Sequence, residues 1–311
     1  MPVLIPHDLP AKKILEQENI FVMTEKRATM QDIRPLKAAI VNLMPTKMET
    51  ETQLLRVLSN TALQVNIDLI RIGSHISKNT SIEHLEQFYR TFDEIRGENY
   101  DAMIVTGAPI EKLEYKQVTY WKELCEIMDY ALEHVFSTMF LCWAAQAAMY
   151  HYYGVEKRLM EEKLFGVFET SVIGNSPLTR GFDDCFYAPQ SRHTYCCEKD
   201  IEKTQGLHIL AKSAEAGVHI AATDDMRLIF VAGHSEYDKL TLDSEYRRDL
   251  AKGDKISVPK NYYAGDDPEK GVLLRWRSHG NLMFGNWLNY CVYQETPYDL
   301  GVLQPVKLPG L

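Results

Sequence analysis

Cys142 follows the apolar run Val135–Leu141, which reads as a buried strand, and directly precedes Trp143–Met149, which reads as a helix. A thiol on such a turn projects from the backbone, and the amides of the new helix can stabilise both a thiolate and a developing oxyanion. Free cysteine is also among the most buried residue types, so position alone leaves an ordinary core side chain as the alternative. Far downstream, Gly233-His234-Ser235-Glu236-Tyr237 follows a second apolar run ending at Val231-Ala232. A thiol nucleophile needs a base to take its proton and later activate the second substrate, and the base needs an orienting partner. His234 and Glu236 have the types and spacing for these two roles. If the strand before them runs parallel to the strand before Cys142, all three stand at one sheet edge.

The elements that would position these residues are legible as alternating strands and helices. Lys37–Leu43 reads as a strand, and Thr46-Lys47-Met48-Glu49 matches a capping box that opens a helix through Leu58. Val65–Ile72 is the next expected strand, Ser81–Ile95 has helical spacing, and Ala102–Thr106 is a short apolar strand ending in the loop Gly107-Ala108-Pro109. A helix over Val118–Leu132 precedes the Cys142 strand. Three successive strands thus end on one carboxyl edge, where open parallel sheets bind ligands. The pattern becomes strand-rich over Leu164–Ile173 and Leu207–Val231, where antiparallel additions are expected. Asp254–Lys270 reads as a surface loop and Asn281–Tyr293 as a closing helix. Residues 1–35 form an N-terminal extension in this reading, and 36–311 a single domain.

Composition excludes several classes. A hydrophobic fraction of 45% and a charged fraction of 25% are those of an ordinary globular protein. A net charge of -9 argues against a nucleic-acid partner, which would call for clustered lysine and arginine. The N-terminus lacks the basic head and long apolar stretch of a signal peptide, and no window offers a membrane span, so a cytoplasmic location is expected. The six cysteines are scattered and read as free thiols. Adjacent Cys196 and Cys197, with His193 nearby, are a poor match to zinc-ligand spacing, so no metal is expected.

Cys142, His234 and Glu236 in this order resemble the class I glutamine amidotransferase architecture, a flavodoxin-like, mostly parallel sheet with helices on both faces. Phe140 and Ala144 stand where that family has glycines, which disfavours glutamine hydrolysis. A more specific resemblance, to the amidotransferase-like homoserine O-acyltransferase family of methionine biosynthesis, extends over nearly the whole chain. It is carried by Asn42-Leu43-Met44-Pro45-Thr46-Lys47-Met48-Glu49, Thr106-Gly107-Ala108-Pro109-Ile110-Glu111, Leu141-Cys142-Trp143-Ala144-Ala145-Gln146, Lys163-Leu164-Phe165-Gly166, Gly233-His234-Ser235-Glu236-Tyr237-Asp238 and Asn286-Trp287-Leu288-Asn289-Tyr290. The chain departs at Ser235, where the family usually has proline.

The resemblance implies a two-step transfer in which Cys142 takes the acyl group from an acyl-CoA co-substrate and the hydroxyl of L-homoserine then receives it. His234 would serve both steps, Glu236 would orient it, and the Trp143 amide would donate to the oxyanion. It also implies substrate contacts from Lys163, Ser191 and Arg248, with Arg248 gripping the homoserine carboxylate and Arg247 on the solvated face. Lys47 lies near the carboxyl edge, but its place in the capping box reads equally as a solvated helix start. In the family the residue after Gly-Ala-Pro-Ile goes with donor choice, glutamate with acetyl and glycine with succinyl. Here it is Glu111, which implies acetyl-CoA and the product O-acetyl-L-homoserine. A second carboxylate about 4 Å away at an effective dielectric near 20 would be repelled by roughly 4 kcal/mol. No resident cofactor is implied, and the family suggests a homodimer. Succinyl transfer, glutamine hydrolysis and a catalytically silent binding protein are the competing expectations.

Overall fold

The computed structural model describes residues 3–6, 8–17, 23–24, 34–74 and 79–308. The described strands are β1 (Val3–Ile5), β2 (Met23–Thr24), β3 (Leu36–Val41), β4 (Val65–Arg71), β5 (Tyr89–Thr91), β6 (Tyr100–Val105), β7 (Val135–Leu141), β8 (Lys157–Val172), β9 (Cys185–Cys196), β10 (Leu207–Ser213), β11 (Gly217–Thr223) and β12 (Leu228–Val231). They form one sheet in the order β2-β1-β4-β3-β6-β7-β12-β11-β10-β8-β9, with β5 pairing β4 beside β1. Pairing is parallel from β2 to β12 and antiparallel from β12 to β9.

Helices cover both faces, as a parallel sheet requires. Along β3, Leu36, Ala38 and Ile40 enter one core and Ala39 and Val41 the other. On the first face lie α1 (Pro10–Gln17) and α2 (Lys47–Leu58), together with the chain's closing helix over 277–293. The second face carries the helices at Trp121–His134 and Trp143–Tyr153. This is the expected open sheet with two helical layers. In the N-terminal region, β1 pairs β4 and Leu9, Ala11 and Leu15 are buried in the first core; other parts of residues 1–35 lie outside the described set.

Two expectations are corrected. The segment 81–95 is not one helix but a helix (Ile82–Phe88), the strand β5 and a second helix (Phe92–Ile95). Its apolar spacing suits a helix, yet the middle residues extend to pair with β4, Leu69 opposite Tyr89. Thr91 then caps the second helix, with Glu94 completing a capping box. The segment 254–270 is also more than surface loop. Tyr262 and Tyr263 are buried in a third core with Phe165, Trp276 and Tyr237, and Lys260 bridges to Gly166. Gly166 has φ of 144°, and a Cβ there would lie 2.3 Å from the Lys260 carbonyl oxygen, so no other residue fits. This third core underlies the loop that follows β12.

Candidate active site

Strands β7 and β12 lie side by side and parallel, Val231 opposite Leu141, so the residues after both emerge at the same carboxyl edge. Cys142 occupies the turn between β7 and the following helix with φ of 51° and ψ of -115°, a conformation non-glycine residues rarely adopt. The turn is held from both sides: its amide donates to Val231 O at 2.7 Å, and its carbonyl accepts from Ala145 and Gln146 as the helix begins. Phe140 and Ala144 are fully buried, and the Phe140 ring stacks on Phe230 at 5.6 Å. Core packing therefore forms the elbow without flanking glycines. Gly107, at the end of β6, faces it closely. A Cβ there would lie 3.1 Å from Cys142 Cβ and 3.6 Å from the Trp143 amide nitrogen, so the missing side chain keeps the space beside that amide open.

Beyond β12 the chain is fixed just as tightly. Gly233 has no room for a Cβ, which would come within 2.6 Å of Gln190 Nε2, and the His234 amide donates to Pro189 O at 2.9 Å. His234 and Glu236 are both buried, and His234 Nδ1 lies 2.8 Å from Glu236 Oε1. An ionised carboxylate only accepts, so Nδ1 carries the proton and Nε2 is left for the cysteine. Burial by itself would lower the pKa of His234. The charges of Cys142 and Glu236 and hydrogen bonds to both reverse this and raise it well above the ordinary histidine value. The second oxygen of Glu236 is buried without a hydrogen-bond partner among the described residues, which leaves its charge directed at the imidazole. Tyr237 stacks on the His234 ring at 4.1 Å and donates its hydroxyl to Glu245 at 3.1 Å.

Cys142 and His234 open into a cleft of about 650 Å³ also lined by Lys163, Ser191, Arg248 and Glu111. Trp143 and Glu236 stand behind the lining, buried in the core and beneath His234 respectively. One wall is a charged network on the helix Thr241–Ala251 and the facing strands. Glu245 accepts from Ser191 Oγ and lies 3.5 Å from Lys163 Nζ, which is also 3.5 Å from Asp249. Arg248 bonds Asp249 at 2.7 Å while its side chain stays 54% exposed. Arg247 points away and pairs with Asp243 on the outer face.

A family model described as homoserine O-succinyltransferase matches residues 2–298. The chain belongs to this family. Relatives include a homoserine O-acetyltransferase of Acetivibrio thermocellus, 56% identical over 305 residues that cover 98% of this chain and 100% of that one. Another, of Brevibacillus brevis, is 58% identical over 301 residues, 96% of this chain and 98% of that one. Among solved structures, a glutamine amidotransferase from Thermotoga maritima covers 82% of this chain and 98% of its own with a TM-score of 0.55 at 10% identity. One from Methylobacillus flagellatus covers 86% and 99% with a TM-score of 0.52, also at 10% identity. These two share the fold.

Within the homoserine O-succinyltransferase family fold, Lys47 departs from the solvated helix start that the capping box suggested. It is buried, and its ammonium donates to the carbonyls of Asn42 and Met44. Burial lowers its pKa to about 8 against the pull of Glu51. The capping box is absent as well, because Thr46 makes no side-chain bond to the helix backbone. Cys196 is buried in the core, and among the described residues no cluster of three histidine, cysteine or acidic side chains could hold a metal. His193 instead lines the cleft, its pKa lowered by burial and by Lys112. Glu245 carries no motif of its own in the sequence; the one signal for it is that Thr241, Glu245, Arg248 and Asp249 share one helical face by their spacing. Among the described residues no helix is long and apolar enough to cross a membrane.

Proposed function

We propose that the chain transfers an acetyl group from acetyl-CoA to the hydroxyl of L-homoserine through an acyl-Cys142 intermediate. The observation that carries this reading is the convergence of the Cys142–His234–Glu236 line with a charge-balanced wall of Lys163, Arg248, Glu245 and Asp249 in one cleft. A zwitterionic amino acid suits such a wall: the guanidinium can take its carboxylate and the acidic side chains its ammonium. The names of the relatives supply the acceptor, homoserine, and the donor, acetyl.

In the first step the sulfur of Cys142 attacks the thioester carbon, with the Trp143 amide donating to the oxyanion. The C–S bond to CoA breaks, and the CoA sulfur leaves with the proton held by His234. The neutral imidazole then takes the proton of the homoserine hydroxyl as its oxygen attacks the acyl carbon. Collapse expels Cys142 as a thiolate beside an imidazolium, which restores the starting state. Glu236 keeps Nδ1 protonated throughout and balances the imidazolium charge. The reading includes a cytoplasmic homodimer acting without a metal or resident organic cofactor.

Glu111 lines the same cleft as Cys142 and is the proposed reason for acetyl over succinyl. Its carboxylate would repel the free carboxylate of a succinyl group and occupy its space. Succinyl transfer is the second reading, favoured by the description of the family model. Comparing kcat/KM for acetyl-CoA and succinyl-CoA decides between them. The proposal expects acetyl-CoA to be preferred and Glu111→Gly to move the preference toward succinyl-CoA by about tenfold or more. A parent enzyme that prefers succinyl-CoA would overturn it.

A further inference from the structure

Glu111 sits on the turn 110–113, closed by the Leu113 amide donating to Ile110 O at 3.0 Å. It is half-buried, and among the described residues no donor hydrogen-bonds its carboxylate. With no hydrogen bond to fix it, that charge stands where the backbone of the turn and the pull of the neighbouring Lys157 ammonium place it. Lys157, the first residue of β8, reaches this backbone. Its ammonium donates to the carbonyl oxygen of Glu111 at 2.6 Å and to that of Leu113. It also lies 4.7 Å from the centre of the Tyr115 ring, which is stacked between Trp121 and Tyr150 at 4.9 and 4.6 Å. On its own strand Lys157 pairs with Cys196 of β9, so the clamp stands on the sheet.

We infer that Lys157 is a specificity-positioning residue, a clamp on both sides of the 111–113 backbone that aims the Glu111 carboxylate into the acyl end of the cleft. Two carbonyls and an aromatic face hold the ammonium, which also attracts the nearby Glu111 and Glu114 carboxylates through space, so it acts on the turn and its side chains rather than by forming a salt bridge to the acyl group. The inference rests on the proposed role of Glu111 and extends it to a residue outside the cleft lining. A turn released from the clamp would let Glu111 swing aside, and a longer, charged acyl group would gain entry.

The test compares the ratio of kcat/KM for acetyl-CoA to that for succinyl-CoA in the full chain and in Glu111→Gly, Lys157→Met and Lys157→Arg. Lys157→Met should lower the ratio by about tenfold, the size expected from losing charge-assisted hydrogen bonds, while Lys157→Arg should keep it within about threefold. If Lys157→Met does not fold, Lys157→Gln takes its place. A merely structural lysine would depress both donors equally and leave the ratio unchanged, and that result together with a shifted ratio in Glu111→Gly overturns the clamp. An unchanged ratio in Glu111→Gly would instead overturn the reading of Glu111, and the clamp's part in specificity with it.

Discussion

The imidazole of His234 is subject to opposed influences. Burial disfavours its charge, and the charges on either side, Cys142 and Glu236, more than offset that cost. Replacing Glu236 by glutamine removes one of the two while leaving a group that can still fill the space. The neutral amide cannot balance an imidazolium and can present its NH₂ to Nδ1, which would move the ring proton to the wrong nitrogen. Glu236→Gln should lower kcat by about 10³-fold or more with little change in the KM for homoserine. Retention of more than a tenth of the activity would contradict this. The three residues of this line could be read from the sequence because each follows an apolar run that ends at the sheet edge. Tyr237 and Glu245 could not, since their importance comes from a ring stacked on His234 and a carboxylate shared by Ser191, Tyr237 and Lys163. Such contacts join parts of the chain that local spacing does not connect.

At the scale of elements, the start of α2 shows how tertiary packing overrides a local signal. Thr46-Lys47-Met48-Glu49 has the letters of a capping box, but the fold turns Lys47 inward onto the carbonyls of Asn42 and Met44, just beyond β3. The pKa of Lys47 in the folded protein, about 8, lies below its unfolded value of 10.5. Between these values the unfolded chain binds more protons, so stability rises with pH through this window, and the cost of burying the charge is fully present below about pH 8. From about pH 7.5 to 9.5 Lys47 should contribute a rise of about 2 kcal/mol in unfolding free energy. Urea denaturation of Lys47→Met should lack that rise; parallel pH profiles for parent and variant would contradict the assignment. The helix-strand-helix at 82–95 shows the same override. Periodicity could not reveal that Tyr89–Thr91 extends, because the partner that draws it out is β4, some twenty residues away in sequence.

Across the whole molecule, the alternating pattern made the parallel half of the sheet and its helices legible, since both faces of each strand are buried. The long antiparallel pair β8–β9 is only partly legible in the sequence. Its strands have one face toward solvent in places, and Lys157–Glu162 carries little apolar signal. The consequence for the site is a division of labour. The parallel half supplies Cys142, Gly107 and Glu111, while β8, β9 and the helix 241–251 supply Lys163, Ser191 and the charged wall. The seam β7–β12 brings Cys142 and His234 into register. In the proposed mechanism the thiol at that seam must hold the acyl group between two half-reactions. Incubating the full chain with acetyl-CoA in the absence of homoserine, followed by intact-mass and peptide mapping, reads this directly. The account predicts one acetyl group per chain, on Cys142, discharged when homoserine is added. No adduct, with Cys142→Ala still fully active, would contradict it.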